Sequence, residues 1–122
     1  MTLNTMKILI YSPNKDVRES IKLLLARQYD LILTDSPDQC KECIKNATIN
    51  LVIAEISNPI SEKNWLEEIK SQSKNIPIIL LIPHKYEKDK RIKEFIQIVD
   101  KYLYIKPIKE EALQNILKQL KI

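Results

Sequence analysis

The chain has 122 residues, 44% of them hydrophobic and 30% charged, and a formal net charge of +4. That length makes one domain with room for a buried core, and no apolar run approaches the ~20 residues of a membrane span. Glycine is absent, which excludes any phosphate-cradling glycine-rich loop and leaves the turns to Pro, Asn, Asp and Ser.

The first five residues, Met1 to Thr5, have no basic stretch followed by an apolar one, so no signal peptide is expected and a cytoplasmic location follows. Lys7 to Tyr11 reads as a strand. Asn14 to Arg27 reads as a helix with Val17, Ile21, Leu24 and Leu25 at helical spacing. Asp30 to Thr34 is a second strand. Ser36-Pro37-Asp38 then opens a helix as cap, first-turn proline and first-turn acid. Cys40 and Cys43 fall in that helix. A zinc site would need two more ligands, and the sole histidine, His84, lies in another segment. Small buried hydrophobes are the expected reading of both.

Leu51 to Ile56 is the third strand and the most informative segment. Its apolar run is too short for a helix and rich in β-branched residues, as in a strand buried on both faces. It holds one acid, Glu55, at its C-terminal end, where open α/β sheets place their ligand sites. Ser61 to Ser73 is a helix, with Trp65 as a packing residue. Ile76 to Ile82 is the fourth strand, with Pro77 at its start. Tyr86 to Ile98 is expected to be helical, with Ile92, Phe95, Ile96 and Val99 on one side. Its lysines interleave with acids and read as a solvated face rather than a nucleic-acid patch. Lys101 to Ile105 is the fifth strand. Glu110 to Lys121 is the last helix, with Leu113, Ile116, Leu117 and Leu120 inward.

Five strands alternating with five helices imply βαβ units and a parallel sheet covered on both faces. The expected architecture is a single-domain, flavodoxin-like, doubly wound (βα)5 fold with strand order 2-1-3-4-5. The domain spans 1–122, with its core about 6–121. A dinucleotide site is ruled against because the turn after the first strand, Tyr11-Ser12-Pro13-Asn14, lacks glycine.

Glu55, Pro59 four residues on, the Ile-Pro-Ile-Ile-Leu-Leu run of the fourth strand and Lys106-Pro107 after the fifth stand in the order and spacing of a known family. The chain resembles the receiver domains of bacterial response regulators, the CheY-like superfamily, along nearly its whole length. In that family the third strand ends in an Asp that accepts a phosphoryl group from a histidine kinase; this chain has Glu55. An acidic pair after the first strand helps bind Mg²⁺; here the positions are Ser12 and Pro13, poor in the anionic oxygens that Mg²⁺ prefers. A hydroxyl ends the fourth strand; here it is Ile82. The next residue gives a backbone N–H to the phosphoryl group; here it is Pro83, which has none. The switch aromatic is replaced by Leu103, with Tyr102 and Tyr104 pointing to the opposite face of the strand. The phosphoryl-contacting lysine is retained as Lys106, and a Glu55–Lys106 ion pair is expected.

The resemblance therefore implies a degenerate receiver: no catalytic residues, no cofactor and no metal. It implies a signalling-protein partner (a kinase, regulator or output protein), with no membrane or nucleic acid among its partners. The candidate interaction face is the fourth helix, fifth strand and fifth helix, with Lys93, Tyr102 and Tyr104, which could also serve a homodimer. The chain ends at Ile122 without an output domain, so a stand-alone protein is expected. Two alternatives are phosphoryl uptake on Glu55 or another residue, and small-molecule binding in the vacated acidic pocket. His84 has no recognisable triad spacing and reads as a loop residue.

Overall fold

The computed structural model describes residues 6–58, 62–72, 75–105 and 109–120. Five strands alternate with five helices: β1 Lys7–Tyr11, α1 Lys15–Leu25, β2 Asp30–Thr34, α2 Pro37–Asn46, β3 Leu51–Glu55, α3 Glu62–Gln72, β4 Ile78–Pro83, α4 Ile92–Ile98, β5 Lys101–Ile105 and α5 Glu110–Gln119. The strands form one sheet of order β2-β1-β3-β4-β5, parallel at every pairing. This is the flavodoxin-like doubly wound architecture expected from the sequence.

The sheet's two faces bury separate cores, as alternation along a strand requires. Leu9, Tyr11, Val52, Ala54, Leu80 and Ile82 face α2, α3 and α4, where Cys40, Leu66, Ile69, Ile92 and Phe95 meet them. Ile8, Ile10, Leu51, Ile53, Ile79 and Leu81 face α1 and α5, meeting Ile21, Leu25, Leu113 and Leu117. Central β3 is buried at all five positions, whereas the outer strands β2 and β5 are mostly half-buried.

Local chemistry sets the helix starts. Asn14 caps α1, its side chain accepting from the Asp16 N–H. Ser36 caps α2, its hydroxyl accepting from the Gln39 N–H at 3.3 Å, with Pro37 next. Cys40 and Cys43 are free thiols packed in the core on the α2 side. Burial, reinforced by Cys43, pushes the Cys40 thiol up to about 12, so it stays protonated and inert. Trp65 packs as expected, its ring 4.8 Å from that of Tyr11 and its indole N–H donating to the Pro37 carbonyl at 3.0 Å.

One element departs from expectation. The helix read as Tyr86 to Ile98 starts at Ile92. Ahead of it runs a 3₁₀ turn, His84–Tyr86, and a series of tight turns. The Glu87, Asp89 and Ile92 amides each bond the carbonyl three residues back, at 3.0, 3.0 and 3.1 Å, the spacing of 3₁₀ rather than α structure. The cause is Asp89, whose carboxylate takes the Arg91 backbone N–H at 2.9 Å and its guanidinium at 2.6 and 3.0 Å. Such a local side-chain–backbone bond competes with the helical ladder. The other limits differ only at element ends: β4 starts after Pro77 and includes Pro83.

Phe95 is 1% exposed and joins α4 to the sheet. Phe95→Ala is expected to cost about 3–5 kcal/mol, read from the urea midpoint at unchanged slope.

Candidate functional site

The C-terminal ends of β1, β3 and β4 meet at one edge of the sheet. Tyr11 of β1 pairs with Ala54, and Glu55 of β3 pairs with Leu81. These pairings bring Glu55 and Pro83 around a cleft of about 330 Å³, lined also by Pro13, Asn14, Ile56, Ser57 and Lys85, with Ser12 buried and hydrogen-bonded to Glu55. Of the expected site residues, Ser12, Pro13, Glu55 and Pro83 thus converge. Ile82 is fully buried among Phe95, Leu80 and Ile92, and lines the core rather than the cleft. Lys106 lies outside the described residues, as do Pro59 and Pro107, so the expected Glu55–Lys106 pair does too.

Glu55 is not a surface acid: it is 7% exposed, and Ser12 is fully buried. The Ser12 hydroxyl donates to Glu55 Oε1 and accepts the Asn14 N–H at 2.9 Å. The Arg18 guanidinium holds the Ser12 carbonyl at 2.7 Å. Ser12 is therefore a working partner of Glu55, where the resemblance marks only a lost metal ligand. Burial raises the Glu55 carboxyl above its ordinary value. The Ser12 bond works against that shift, Glu62 adds to it, and Lys85 opposes it.

A second buried carboxylate went unread in the sequence. Glu62, on the first turn of α3, is 8% exposed. Its Oε1 accepts the backbone N–H groups of Ser57 at 2.6 Å and Asn58 at 2.8 Å. Its Oε2 accepts the Ser57 hydroxyl at 2.7 Å and the Tyr11 phenol at 3.1 Å. Burial and the Glu62 charge push the Tyr11 phenol up to about 12. The one available signal was an acid at a helix start, where a carboxylate reaches back to preceding amides as in a capping box.

These residues do not fit Mg²⁺. A small divalent cation needs several hard, preferably anionic oxygens. At the positions after β1 and at the end of β3 the only carboxylate is Glu55, with one oxygen bonded to Ser12. Pro13 offers no side-chain donor atom, and both Glu62 oxygens are taken. Among the described residues, no group of three or more His, Cys, Asp or Glu side chains could hold a metal.

On the other candidate surface, Lys93 is exposed on α4. Tyr102 and Tyr104 share a face of β5, their rings 5.9 Å apart and edge to face. Tyr102 is 43% exposed, whereas Tyr104 packs on the core beside Ile82 and Phe95. Leu103 packs on the opposite face, with Leu81 and Leu113. His84, half-exposed, pairs with Glu87 at 2.9 Å.

No protein-family model matches the sequence, and no curated protein matches it. Solved structures do. The signal receiver domain of an HD domain-containing protein from Pseudomonas fluorescens Pf-5 superposes with a TM-score of 0.80 at 22% identity, covering 98% of this chain and 88% of that one. A response regulator from Thermotoga maritima gives 0.82 at 14%, covering 95% and 97%. The N-terminal signal receiver domain of a two-component system response regulator from Bacteroides fragilis gives 0.81 at 22%, covering 95% and 96%. The chain has the fold of response-regulator receiver domains, CheY-like in strand order and helix placement.

The Ser12–Glu55 pair makes a stability prediction. With its carboxyl raised above the ordinary 4.5, folded Glu55 holds a proton that the unfolded chain releases between the two values. Stability therefore falls as pH rises through that window. Glu55→Gln should be more stable than wild type near pH 7 and lose that advantage around pH 4, by urea unfolding at both. Ser12→Ala leaves the carboxylate without its donor and should cost about 1–3 kcal/mol near pH 7.

Proposed function

We propose that the chain is a receiver-like signalling protein that works without phosphorylation, a pseudo-receiver acting by protein–protein contact. The observation that carries this reading is the Ser12–Glu55 bond. A phosphoacceptor must present a free carboxylate oxygen to the donor beside a metal and N–H or O–H groups that meet the developing charge. At Glu55 one oxygen is engaged by a buried serine. Ile82 and Pro83 supply neither the hydroxyl nor the amide, and the carboxylate set does not suit Mg²⁺. The extra methylene of Glu relative to Asp displaces the carboxylate by a further ~1.5 Å.

Its role is then to present a fixed surface to a kinase, regulator or output protein, without catalysing a reaction. The α4–β5–α5 face, with Lys93 and Tyr102, suits that contact, because an exposed aromatic and an exposed lysine offer apolar area and charge. A second copy of the chain is a candidate for the same face. A cytoplasmic site of action belongs to this reading; among the described residues no helix is long and apolar enough to cross a membrane.

The test is incubation with a small phosphodonor and Mg²⁺, read by intact mass. No gain of a phosphoryl group is expected, under conditions where a receiver with an aspartate acceptor is stoichiometrically modified. An acid-labile gain that disappears in Glu55→Gln would overturn the reading in favour of a working phosphoacceptor.

A further inference from the structure

Four donors converge on Glu62. Two are successive backbone N–H groups, one is a hydroxyl and one a phenol, at 2.6, 2.8, 2.7 and 3.1 Å. Successive amides turned toward one point form an anion-binding concavity, and this one is completed by side chains from β1 and from the turn after β3. A free anion in such a position would be a ligand. Here the chain supplies the anion itself, on a helix whose Leu66 and Ile69 are anchored in the core.

The Glu62 cluster does not end at Ser57. The Ser57 carbonyl accepts the Tyr86 phenol at 3.0 Å, and Tyr86 belongs to the 3₁₀ turn that leads toward α4. A continuous chain of hydrogen bonds thus runs from Tyr11 at the end of β1, through Glu62 and Ser57, to Tyr86 after β4. It joins the ends of three neighbouring strands. Lys63, next to Glu62, adds a second tie by pairing with Glu94 of α4 at 3.2 Å.

We propose that Glu62 is a built-in anion that locks the Ser57–Asn58 turn and, through Tyr86, the turns ahead of α4 in one arrangement. The carboxylate does internally what an external anion would do in a switchable site: it gathers amide and hydroxyl donors and fixes the backbone that bears them. Because Glu62 is covalently part of α3, the arrangement has no ligand-free state to relax into. The lock does not rest on whether Glu55 accepts a phosphoryl group.

Truncation and chemical rescue test the lock. Glu62→Ala removes the anion and leaves the four donors, so it should lower Tm. Formate should restore Tm saturably, by occupying the vacated nest, while sodium chloride at equal ionic strength does not. Amide exchange at Ser57 and Asn58 should quicken by about tenfold or more, the scale of a lost hydrogen bond to a charged group. Tyr86→Phe should quicken exchange at Glu87 and Asp89 while leaving Ser57 and Asn58 protected. Should Glu62→Ala not fold, Glu62→Met carries the same exchange measurement, since it keeps the length of the side chain and offers the two amides no oxygen acceptor. Formate acting no better than chloride overturns the built-in anion. Unchanged exchange at Glu87 and Asp89 in Tyr86→Phe overturns the coupling to α4. In Glu62→Met, protected amides at Ser57 and Asn58 overturn both.

Discussion

A strand buried on both faces that ends in a carboxylate poses a problem the rest of the site answers. Desolvating a carboxylate without a partner costs several kcal/mol. β3 has no exposed position at which to place one. The Ser12 hydroxyl is the described donor that meets Glu55, and it is oriented by its own acceptance of the Asn14 amide. Arg18 holds the carbonyl of the same residue. The turn after β1 is therefore shaped around Glu55, and the helix that follows inherits its starting point from Asn14. The two positions that follow β1 are a serine and a proline, and of these only the serine offers Glu55 a donor.

Two carboxylates lie at the same end of the sheet and are treated differently. Glu62 collects four donors, two of them backbone amides. Glu55 has a single described one and lies at the end of the buried central strand. The difference comes from backbone geometry. A side chain at a helix start can reach back over preceding amides. A side chain at the end of a parallel strand has neighbouring strands on both sides, whose amides are already committed to the ladder.

The five strands were legible because each is a short β-branched run bounded by polar turns, and the order followed from the alternation with helices. The start of α4 was not. Tyr86, Ile92 and Phe95 suggest one long amphipathic helix, and nothing in a periodicity count registers that Asp89 will take the Arg91 amide. The bond that Ser12 makes to Glu55 was not legible. As a residue type serine is a weak metal ligand, and its bond to a carboxylate 43 residues away leaves no trace in spacing. Glu62 drew no reading, because whether an acid at a helix start faces water or folds back depends on the turn before it. Tyr102 and Tyr104 share a face by alternation, yet only Tyr104 packs on the core, while Tyr102 is 43% exposed.

Ser12 and Glu55 are separated by 43 residues, and β1 meets β3 across the same interval, Ile8 beside Leu51. Between them the chain must first complete β2, which pairs on the other side of β1, and then α2. Closing so long a loop carries an entropic cost that is met before any contact across it can form, and such non-local pairings set the pace of parallel sheets. The polar bond at the strand ends is thus absent from partly formed chains. Until the centre of the sheet closes, Glu55 stays in water and keeps its ordinary acidity, so the moment of its desolvation marks the moment at which the two halves of the molecule become one.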